Sequence, residues 1–497
     1  MKTPPAFALS RFALAALLLV VPVRGFGAAE TASDEYFGVY LSGSKVGWMH
    51  MQKTPAATFA GKVAVRSQAD TQITVNALGT VAKTVSQTVS YNDPKTGAPL
   101  FTQTRTEAAG RVSLVSATYE ARAVRYVADI AGTRRDGVLS LALGESFLAD
   151  PTTSKGGNTF PVGTVITGKT FVPETLSLSD ETITVLRKES IVVGKAKPVL
   201  AFVLEDRAAT GTVTLFMGDK GDTLLMRFPL DMEARRETKA VALTMPSDAE
   251  IASRPDLAVA VGIKPTGKPL ADARTAPTLR FALRGNSADL PPSDNRQTVS
   301  VSGTGADRVT TIIVSANALP ASAGVARFAK PGDAPEALRP YLLPSAYISS
   351  GDAVFTDLAK TATGGKTDLA EAAAKIAAYV HAQITPDASI ATLRTASDIA
   401  KDRRGVCREY ATFFAAIARS AGIPTRVCVG VVLADGAFTF HAWPEVWVGD
   451  AAKWVALEPT WGKPFADATH IKLAQGDITD LYRVTGDMGR YQLEVLP

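Results

Sequence analysis

Cysteine and histidine, the residues that most often bind transition metals, are scarce in this chain. Its 497 residues include two cysteines, Cys407 and Cys428, and four histidines, at positions 50, 381, 441 and 470. Two cysteines allow one bridge at most and cannot build a disulfide framework. The set is also too sparse for a finger-like zinc site. We therefore expect no metal and no other cofactor, and a zinc enzyme is the least favoured class.

An excess of charge of one sign is also lacking. The formal net charge is +5, and three of the positive charges, on Lys2, Arg11 and Arg24, lie in residues 1–29, which contain no acidic residue. Loss of these three charges lowers +5 to +2. A nearly neutral chain gives no reason to expect nucleic acid as a partner. The contents of 46% hydrophobic and 20% charged residues indicate a folded protein.

Long apolar runs are missing after the first 30 residues. Residues 1–29 have the features of a secretory signal peptide: an early positive charge, an apolar run at 12–23 and small residues at 27–29. The run is short for a bilayer span, although an uncleaved N-terminal anchor is the alternative. We expect an exported protein, periplasmic or secreted, with no membrane span after cleavage of the signal.

Residues 30–245 have the sequence pattern of an antiparallel β-rich domain. Apolar and polar residues alternate over many short runs, and turn-forming sequences such as that at 92–97 separate them. We find no catalytic set of residues here, so the expected role is architecture or the binding of a protein partner. Residues 246–276, rich in Pro, Ala and Gly, predict a linker, and residues 277–330 predict a small β module.

The pattern changes in residues 331–497. Helical spacing predicts helices over 368–384, with Thr367 as N-cap, and over 395–400 and 407–420. Predicted strands follow, at 426–433, 438–448 and 454–458. Helices followed by an antiparallel sheet indicate an α+β domain, and the whole chain is therefore predicted to be α+β.

Three residues in this last domain are suited to thiol chemistry. Cys407 opens a predicted helix, where the helix dipole favours a thiolate. His441 follows 34 residues later on a predicted strand, where its imidazole could take the thiol proton. Glu458 lies 17 residues beyond, at the end of the next predicted strand, and could hold the imidazole from behind. A thiol, a base and an orienting carboxylate in this order can transfer acyl groups through a thioester.

The segments around these residues carry a family resemblance. They read GVCREYA at 405–411, AGIPTRV at 421–427, HAWPEVW at 441–447 and EPTWG at 458–462. Together they resemble the bacterial transglutaminase-like domain, which belongs to the papain-like thiol enzymes. The resemblance covers about 395–462, with weaker similarity back to about 335, which is less than a third of the chain.

The resemblance implies roles for the three residues. Cys407 would be the nucleophile, His441 the general base and acid, and Glu458 the orienting carboxylate. This sequence departs from the family at Glu458, where Asp is most common, so the carboxylate stands on a side chain one methylene longer. Trp443, Trp461 and Arg408 are further predicted to contact substrate.

These observations predict an exported thiol-dependent amide hydrolase or acyltransferase, protease-like or transamidase-like, that acts on a peptide or protein amide. Hydrolysis is the favoured outcome. The alternative is a non-catalytic binding or scaffold protein. Its transglutaminase-like domain would have lost catalytic activity, and its β-rich region would carry the function. An arylamine acetyltransferase shares the order of the three residues, but it would not need a long exported β-rich region.

Overall fold

The computed structural model describes residues 32–497, apart from residues 78, 131, 151–160, 195, 209–210, 220, 271, 286–289, 318–326, 388–389, 391–392, 450–452 and 464. The predicted signal peptide lies outside the described residues. The described chain divides into two compact units, one that ends at Pro255 and one that runs from Asp256 to Pro497. The architecture is mixed α+β and rich in strands, as the sequence predicted.

One antiparallel sheet of 14 strands forms most of the first unit. Within β1–β8 and within β9–β14 each strand pairs with its neighbours in sequence, and the pairing of β1 with β14 joins these two halves. β8 and β9 are the two edges of the sheet. The strands are β1 (Ser33–Leu41), β2 (Ser44–Phe59), β3 (Lys62–Ala77), β4 (Thr80–Asn92), β5 (Pro99–Ala108), β6 (Arg111–Tyr119), β7 (Ala123–Ile130), β8 (Thr133–Ser140), β9 (Val165–Val172), β10 (Ser177–Ile191), β11 (Val199–Ala208), β12 (Gly211–Met217), β13 (Thr223–Phe228) and β14 (Met232–Glu237).

The local sequence explains the tight turn between β1 and β2. Between β1 and β2 only Ser42 and Gly43 remain, and both have positive φ, at 46° and 77°. A two-residue turn with both central φ angles positive matches the right-handed twist of the strands, and glycine adopts it freely.

Two short helices follow the sheet, α1 (Lys239–Leu243) and α2 (Asp248–Ala252). α2 begins inside the segment predicted as a linker, at a capping box between Ser247 and Glu250.

The second unit combines helices with two main sheets. Its elements are α3 (Leu257–Ala260), β15 (Thr266–Gly267), β16 (Thr278–Arg284), β17 (Gln297–Ser302), β18 (Val309–Ser315), α4 (Ala353–Thr363), α5 (Leu369–Gln383), β19 (Thr385–Pro386), α6 (Ala396–Asp402), β20 (Arg404–Gly405), α7 (Cys407–Ser420), β21 (Thr425–Ala434), β22 (Ala437–Trp447), β23 (Trp454–Ala456), β24 (Ile471–Gly476), α8 (Leu481–Thr485) and β25 (Gln492–Val495). Among the described residues, no helix is both long enough and apolar enough to cross a bilayer.

The last strand of the chain belongs to the same sheet as the segment predicted as a small β module. The order is β15-β25-β16-β18-β17, with β25 parallel to β15 and antiparallel to β16. The three strands of residues 277–330 therefore form one sheet with the C-terminal end, through a pairing of residues about 200 positions apart.

The other sheet and α7 form the centre of this unit. The antiparallel order is β23-β22-β21-β24, and residues 407–419 of α7 are all buried. A helix that is buried on every side is held by its surroundings along its whole length. The helix α5 is capped by the side chain of Asp368, which accepts from two backbone N–H groups, so the prediction of Thr367 as N-cap was wrong by one residue.

A buried network of ion pairs joins this sheet to the segment before β17. Glu445 Oε2 accepts from Arg426 Nε at 2.8 Å and from Lys472 Nζ at 2.9 Å. Asp294 accepts from Arg426 Nη2 at 2.7 Å and also contacts Lys472. Burial alone would raise the pKa of Glu445, but the charges of Lys472 and Arg426 outweigh it and lower the pKa well below its usual range.

We expect Glu445→Gln to lower the free energy of unfolding by about 3–5 kcal/mol, because it leaves two buried cations short of a partner. Four of the five tryptophans lie in this unit, so tryptophan fluorescence during urea unfolding reports on it. The matched control is Glu494→Gln, whose ion pair with Arg284 is about half exposed and should contribute about 0–1 kcal/mol. Equal losses in the two variants would contradict the expectation.

Candidate active site

The Cys407 thiol lies at the start of the buried helix α7. Cys407 is the first residue of the helix and is 1% exposed. The side chain of Glu409 folds back so that its Oε2 accepts from the N–H of Val406 at 2.9 Å. A Cβ on Gly405 would lie 2.2 Å from the Cβ of Glu409, so only glycine leaves room for this contact. The local sequence thus fixes the helix start that carries the thiol.

His441 and Glu458 meet across neighbouring strands. His441 lies on β22, opposite Gly430 of β21, and Glu458 follows β23, which pairs with β22. His441 Nε2 is 2.7 Å from Glu458 Oε2, and because the carboxylate accepts, the ring nitrogen is the donor. Glu458 Oε1 accepts from the N–H of Thr460 at 2.9 Å. Both charged side chains are almost fully buried, so their contact is shielded from water.

The imidazole of His441 also interacts with the Cys407 thiol. Nε2 is engaged by Glu458, so Nδ1 is the ring nitrogen left to face the sulfur. Burial alone would lower the pKa of His441, but the negative charge of Glu458, and then that of Cys407, outweigh it and raise the pKa to about 10. The structure therefore brings together the three residues that the sequence selected, with the imidazole between thiol and carboxylate.

A second histidine contacts the same carboxylate oxygen. His470 Nε2 is 3.1 Å from Glu458 Oε2, and its Nδ1 is 3.1 Å from Asp467 Oδ1. Burial would raise the pKa of Glu458, but the charge of His441 and the hydrogen bonds from both histidines hold it well below its usual range. In the sequence, His470 is one of four scattered histidines. Only its place shortly after the motif of Glu458 could have drawn attention to it.

His441, Glu458 and His470 also form a group that could hold a metal ion. Their three nearest ligand atoms lie within 4.8 Å of one another. Around a tetrahedral zinc ion with bonds of about 2.0–2.1 Å, ligand atoms stand roughly 3.3 Å apart. The contacts of 2.7 Å and 3.1 Å to one carboxylate oxygen are shorter than this. The distances fit hydrogen bonds between the groups better than shared coordination, and the absence of a cofactor stays a prediction.

Trp461 covers one face of the His441 ring. The two rings stack at 5.0 Å with an angle of 12°, and the guanidinium of Arg274 lies 4.7 Å from the centre of the indole. Trp461 is only partly buried, while its Nε1 is buried and has no hydrogen-bond partner in the described part of the chain. Trp443 also stacks on the His441 ring, at 6.2 Å, and its Nε1 too has no hydrogen-bond partner in the described part of the chain. Of these two indoles, only Trp461 is partly exposed, which favours it as a substrate contact.

Trp443 and Arg408 lie deeper. Trp443 is fully buried in a cluster with Cys428, Ala456 and Ala466, a position that favours core packing over substrate contact. Arg408 is 2% exposed and donates from Nη2 to the carbonyl of Ile390 at 2.9 Å, which favours support of the main chain. Contact of these two residues with substrate stays a prediction.

A known family matches this part of the chain. Residues 356–459 match the family model of the transglutaminase-like superfamily. This segment is a transglutaminase-like domain. The match begins within α4, ends just beyond β23 and contains Cys407, His441 and Glu458, so the resemblance of the sequence motifs is confirmed. No curated protein matches the chain.

Solved structures show weaker likenesses. A candidate cysteine protease from Cytophaga hutchinsonii is 16% identical, with 44% of this chain and 83% of that chain covered and a TM-score of 0.32. A beta-barrel-like protein of a domain of unknown function from Brucella abortus is 11% identical, with coverage of 43% and 97% and a TM-score of 0.29. A candidate protease from Parabacteroides distasonis is 12% identical, with coverage of 70% and 64% and a TM-score of 0.19. These TM-scores are too low to assign a shared fold.

We expect the His441 imidazole to titrate at a pKa of about 10, far above the usual value of about 6.5, because Glu458 and Cys407 stabilise its charged form. NMR of protein labelled with ¹⁵N-histidine measures this value. Glu458→Gln should lower it more than Cys407→Ala, since the carboxylate makes the larger contribution. A wild-type value of 6.5 or lower would contradict the expectation.

A pH dependence of stability follows in the Cys407→Ala variant, where Glu458 still raises the pKa of His441 but the contribution of Cys407 is gone. A histidine whose pKa is higher in the folded than in the unfolded protein stabilises the fold. This contribution is complete below the pKa of the unfolded state, about 6.5, and is lost as the pH rises through the pKa of the folded state. The difference in unfolding free energy between Cys407→Ala and Cys407→Ala/His441→Gln should therefore shrink from pH 6 to pH 10.

Proposed function

We propose that the transglutaminase-like domain is a thiol-dependent amide hydrolase or acyltransferase in which Cys407 is the nucleophile. The supporting observation is the 2.7 Å contact between His441 and Glu458, made by the same imidazole that interacts with the Cys407 thiol. A buried carboxylate that holds one ring nitrogen fixes the orientation of the other toward the nucleophile. This is the arrangement required for acyl transfer through a thioester.

In the first step the Cys407 thiolate attacks the carbonyl carbon of a peptide or protein amide. The N–H groups in the first turn of a helix have no partner within the helix, so those at the start of α7 could donate to the oxyanion that forms at Cys407. The C–N bond then breaks, and the His441 imidazolium gives its proton to the leaving amine. Glu458 stabilises the imidazolium before this transfer and keeps the ring oriented after it. The products of this step are a thioester on Cys407 and a free amine.

In the second step an acceptor resolves the thioester. Neutral His441 takes a proton from water, the hydroxide attacks the thioester carbon, and the thiolate leaves as a carboxylic acid is released. An amine acceptor would give a new amide by the same route. We favour hydrolysis. Cys407 and His441 are 1% and 2% exposed, so side chains above them have to move before a substrate can reach the sulfur.

A non-catalytic binding or scaffold role is the second candidate. The burial of Cys407 and the replacement of the family's usual Asp by Glu458 both favour it. In that case the 14-stranded sheet would be the surface that binds a protein partner. Full biological activity of a Cys407→Ala variant would support this role and exclude the thiol mechanism.

The function can be tested by the reactivity of Cys407 toward iodoacetamide, measured residue by residue with mass spectrometry. We expect alkylation of Cys407 at pH 6–7 in the wild type, after transient opening of the site. His441→Ala should slow it by about 10- to 100-fold, since the imidazolium partner of the thiolate is lost. Glu458→Gln should slow it less. Burial, and then the charge of Glu445, raise the pKa of Cys428 well above its usual value, so this buried thiol is an internal control that should stay unmodified.

Acyl transfer itself can be followed with p-nitrophenyl acetate as a small acyl donor. Acetylation of Cys407 in the wild type and its loss in His441→Ala would support the proposal. Alkylation that begins only above pH 8 and does not depend on His441 would overturn it. Absence of acetylation in wild-type protein whose Cys407 is readily alkylated would point to the scaffold role.

We also propose that the protein is exported through the signal at residues 1–29 and acts in the periplasm or outside the cell. The composition of this segment supports the proposal. Expressed in a bacterium with an outer membrane, the full chain should appear in the periplasmic or secreted fraction with a new N-terminus near residue 30. N-terminal sequencing checks this. Recovery of the chain with Met1 in the cytoplasm would overturn it.

A further inference from the structure

The carboxylate of Glu458 is held at three points although its side chain is fully buried. Oε1 accepts from the N–H of Thr460, and Oε2 is shared between His441 Nε2 and His470 Nε2. A Glu side chain has one more rotatable bond than Asp and more ways to miss a target nitrogen. The contact from His470 removes that freedom at the oxygen that His441 uses.

His470 is itself anchored on its far side. Its Nδ1 faces Asp467 Oδ1 at 3.1 Å, and Asp467 in turn pairs with Arg274 at 3.1 Å and accepts from the N–H of Thr469 at 3.0 Å. Arg296 donates from Nη2 to the carbonyl oxygens of Asp467 and His470, at 2.8 Å each. Asp467 therefore holds the ring of His470, and Arg296 holds its main chain.

Both nitrogens of His470 are directed at carboxylate oxygens. A neutral imidazole can donate from one nitrogen only, whereas an imidazolium donates from both. The ring thus connects Asp467 to Glu458, and the buried groups run in the order Asp467, His470, Glu458, His441, Cys407. A histidine that served only to fill space would not need a carboxylate at each nitrogen.

We propose that His470 is a positioning residue that aims the longer Glu458 side chain at His441. The proposal rests on the proposed function, because it assigns His470 to the same candidate site. It does not give His470 contact with substrate: its action passes through the carboxylate. The hydrogen bond from His470 also lowers the pKa of the Glu458 carboxyl group, in addition to the larger contribution of His441.

The test compares His470→Leu with His470→Gln in the full-length protein. Leu removes both donors, whereas the Gln amide can place an N–H close to the position of Nε2 and so keep the bond to Glu458. His50→Leu, in the other unit, is the control for loss of a histidine. Two quantities are measured: the ¹⁵N-histidine NMR signal of the His441 ring and the rate of Cys407 alkylation at pH 7.

We expect His470→Leu to shift or broaden the His441 signal and to slow alkylation by about 10- to 100-fold, a typical effect of losing a partner that orients a functional group. His470→Gln should restore the His441 signal and come within about threefold of the wild-type rate. His50→Leu should change neither. A wild-type His441 signal and alkylation rate in His470→Leu would overturn the proposal, and so would equal damage by Leu and Gln in folded protein.

Two further comparisons cover the cases in which His470→Leu does not fold or wild-type Cys407 is unreactive. If His470→Leu does not fold, Asp467→Asn keeps the ring and weakens its anchor: a shifted His441 signal supports the proposal, and an unchanged one overturns it. If wild-type Cys407 is unreactive but the His441 signal still depends on His470, the proposed function fails and the positioning role stands. The NMR signal does not depend on activity, so the two failures are distinguishable.

Discussion

A buried negative charge at Glu458 governs the arrangement of the groups around it. A carboxylate without exposure to water is stable only if donors surround it, and here they are the N–H of Thr460 and the rings of His441 and His470. Together with the contribution of Cys407, this charge raises the pKa of His441 to about 10, and the carboxylate occupies one ring nitrogen. The orientation of the imidazole toward Cys407 follows from this contact, since α7 and β22 hold the two residues in fixed places.

The frame that supports the site is itself built around buried charge. Glu445 lies four residues after His441 on β22, and its pairs with Arg426 on β21 and Lys472 on β24 join three strands of the sheet. The acidic residue of the HAWPEVW segment is thus structural, although it stands in the same motif as the candidate base. Neutralising it would disturb the strand that carries His441, so loss of reactivity in such a variant has to be read together with its stability.

The parts of the site that the sequence predicted are those encoded locally. Cys407 was found because a glycine, a thiol and an apolar helix follow one another, and His441 because it opens a motif. His470 and Asp294 gave no such signal, since their partners are brought to them by the folding of distant strands. The joining of β25 to β16 was missed for the same reason, because strand pairing over about 200 residues leaves no periodic pattern. The shift of the α5 cap from Thr367 to Asp368 is a local error, as both residues are good N-caps.

The length of the Glu458 side chain explains why this site needs more contacts than a triad with Asp. One extra methylene adds a rotatable bond, and holding it in one state costs conformational entropy of about 0.5–1 kcal/mol. A single hydrogen bond from His441 would have to offset that cost and orient the ring as well. The bond to Thr460 and the bond to His470 restrict the carboxylate independently of His441, so the contact of 2.7 Å can serve orientation alone. On this reasoning, shortening the side chain to Asp would not improve the site. The shorter side chain would lose reach to His470 or to His441, because the two nitrogens are fixed by separate parts of the fold.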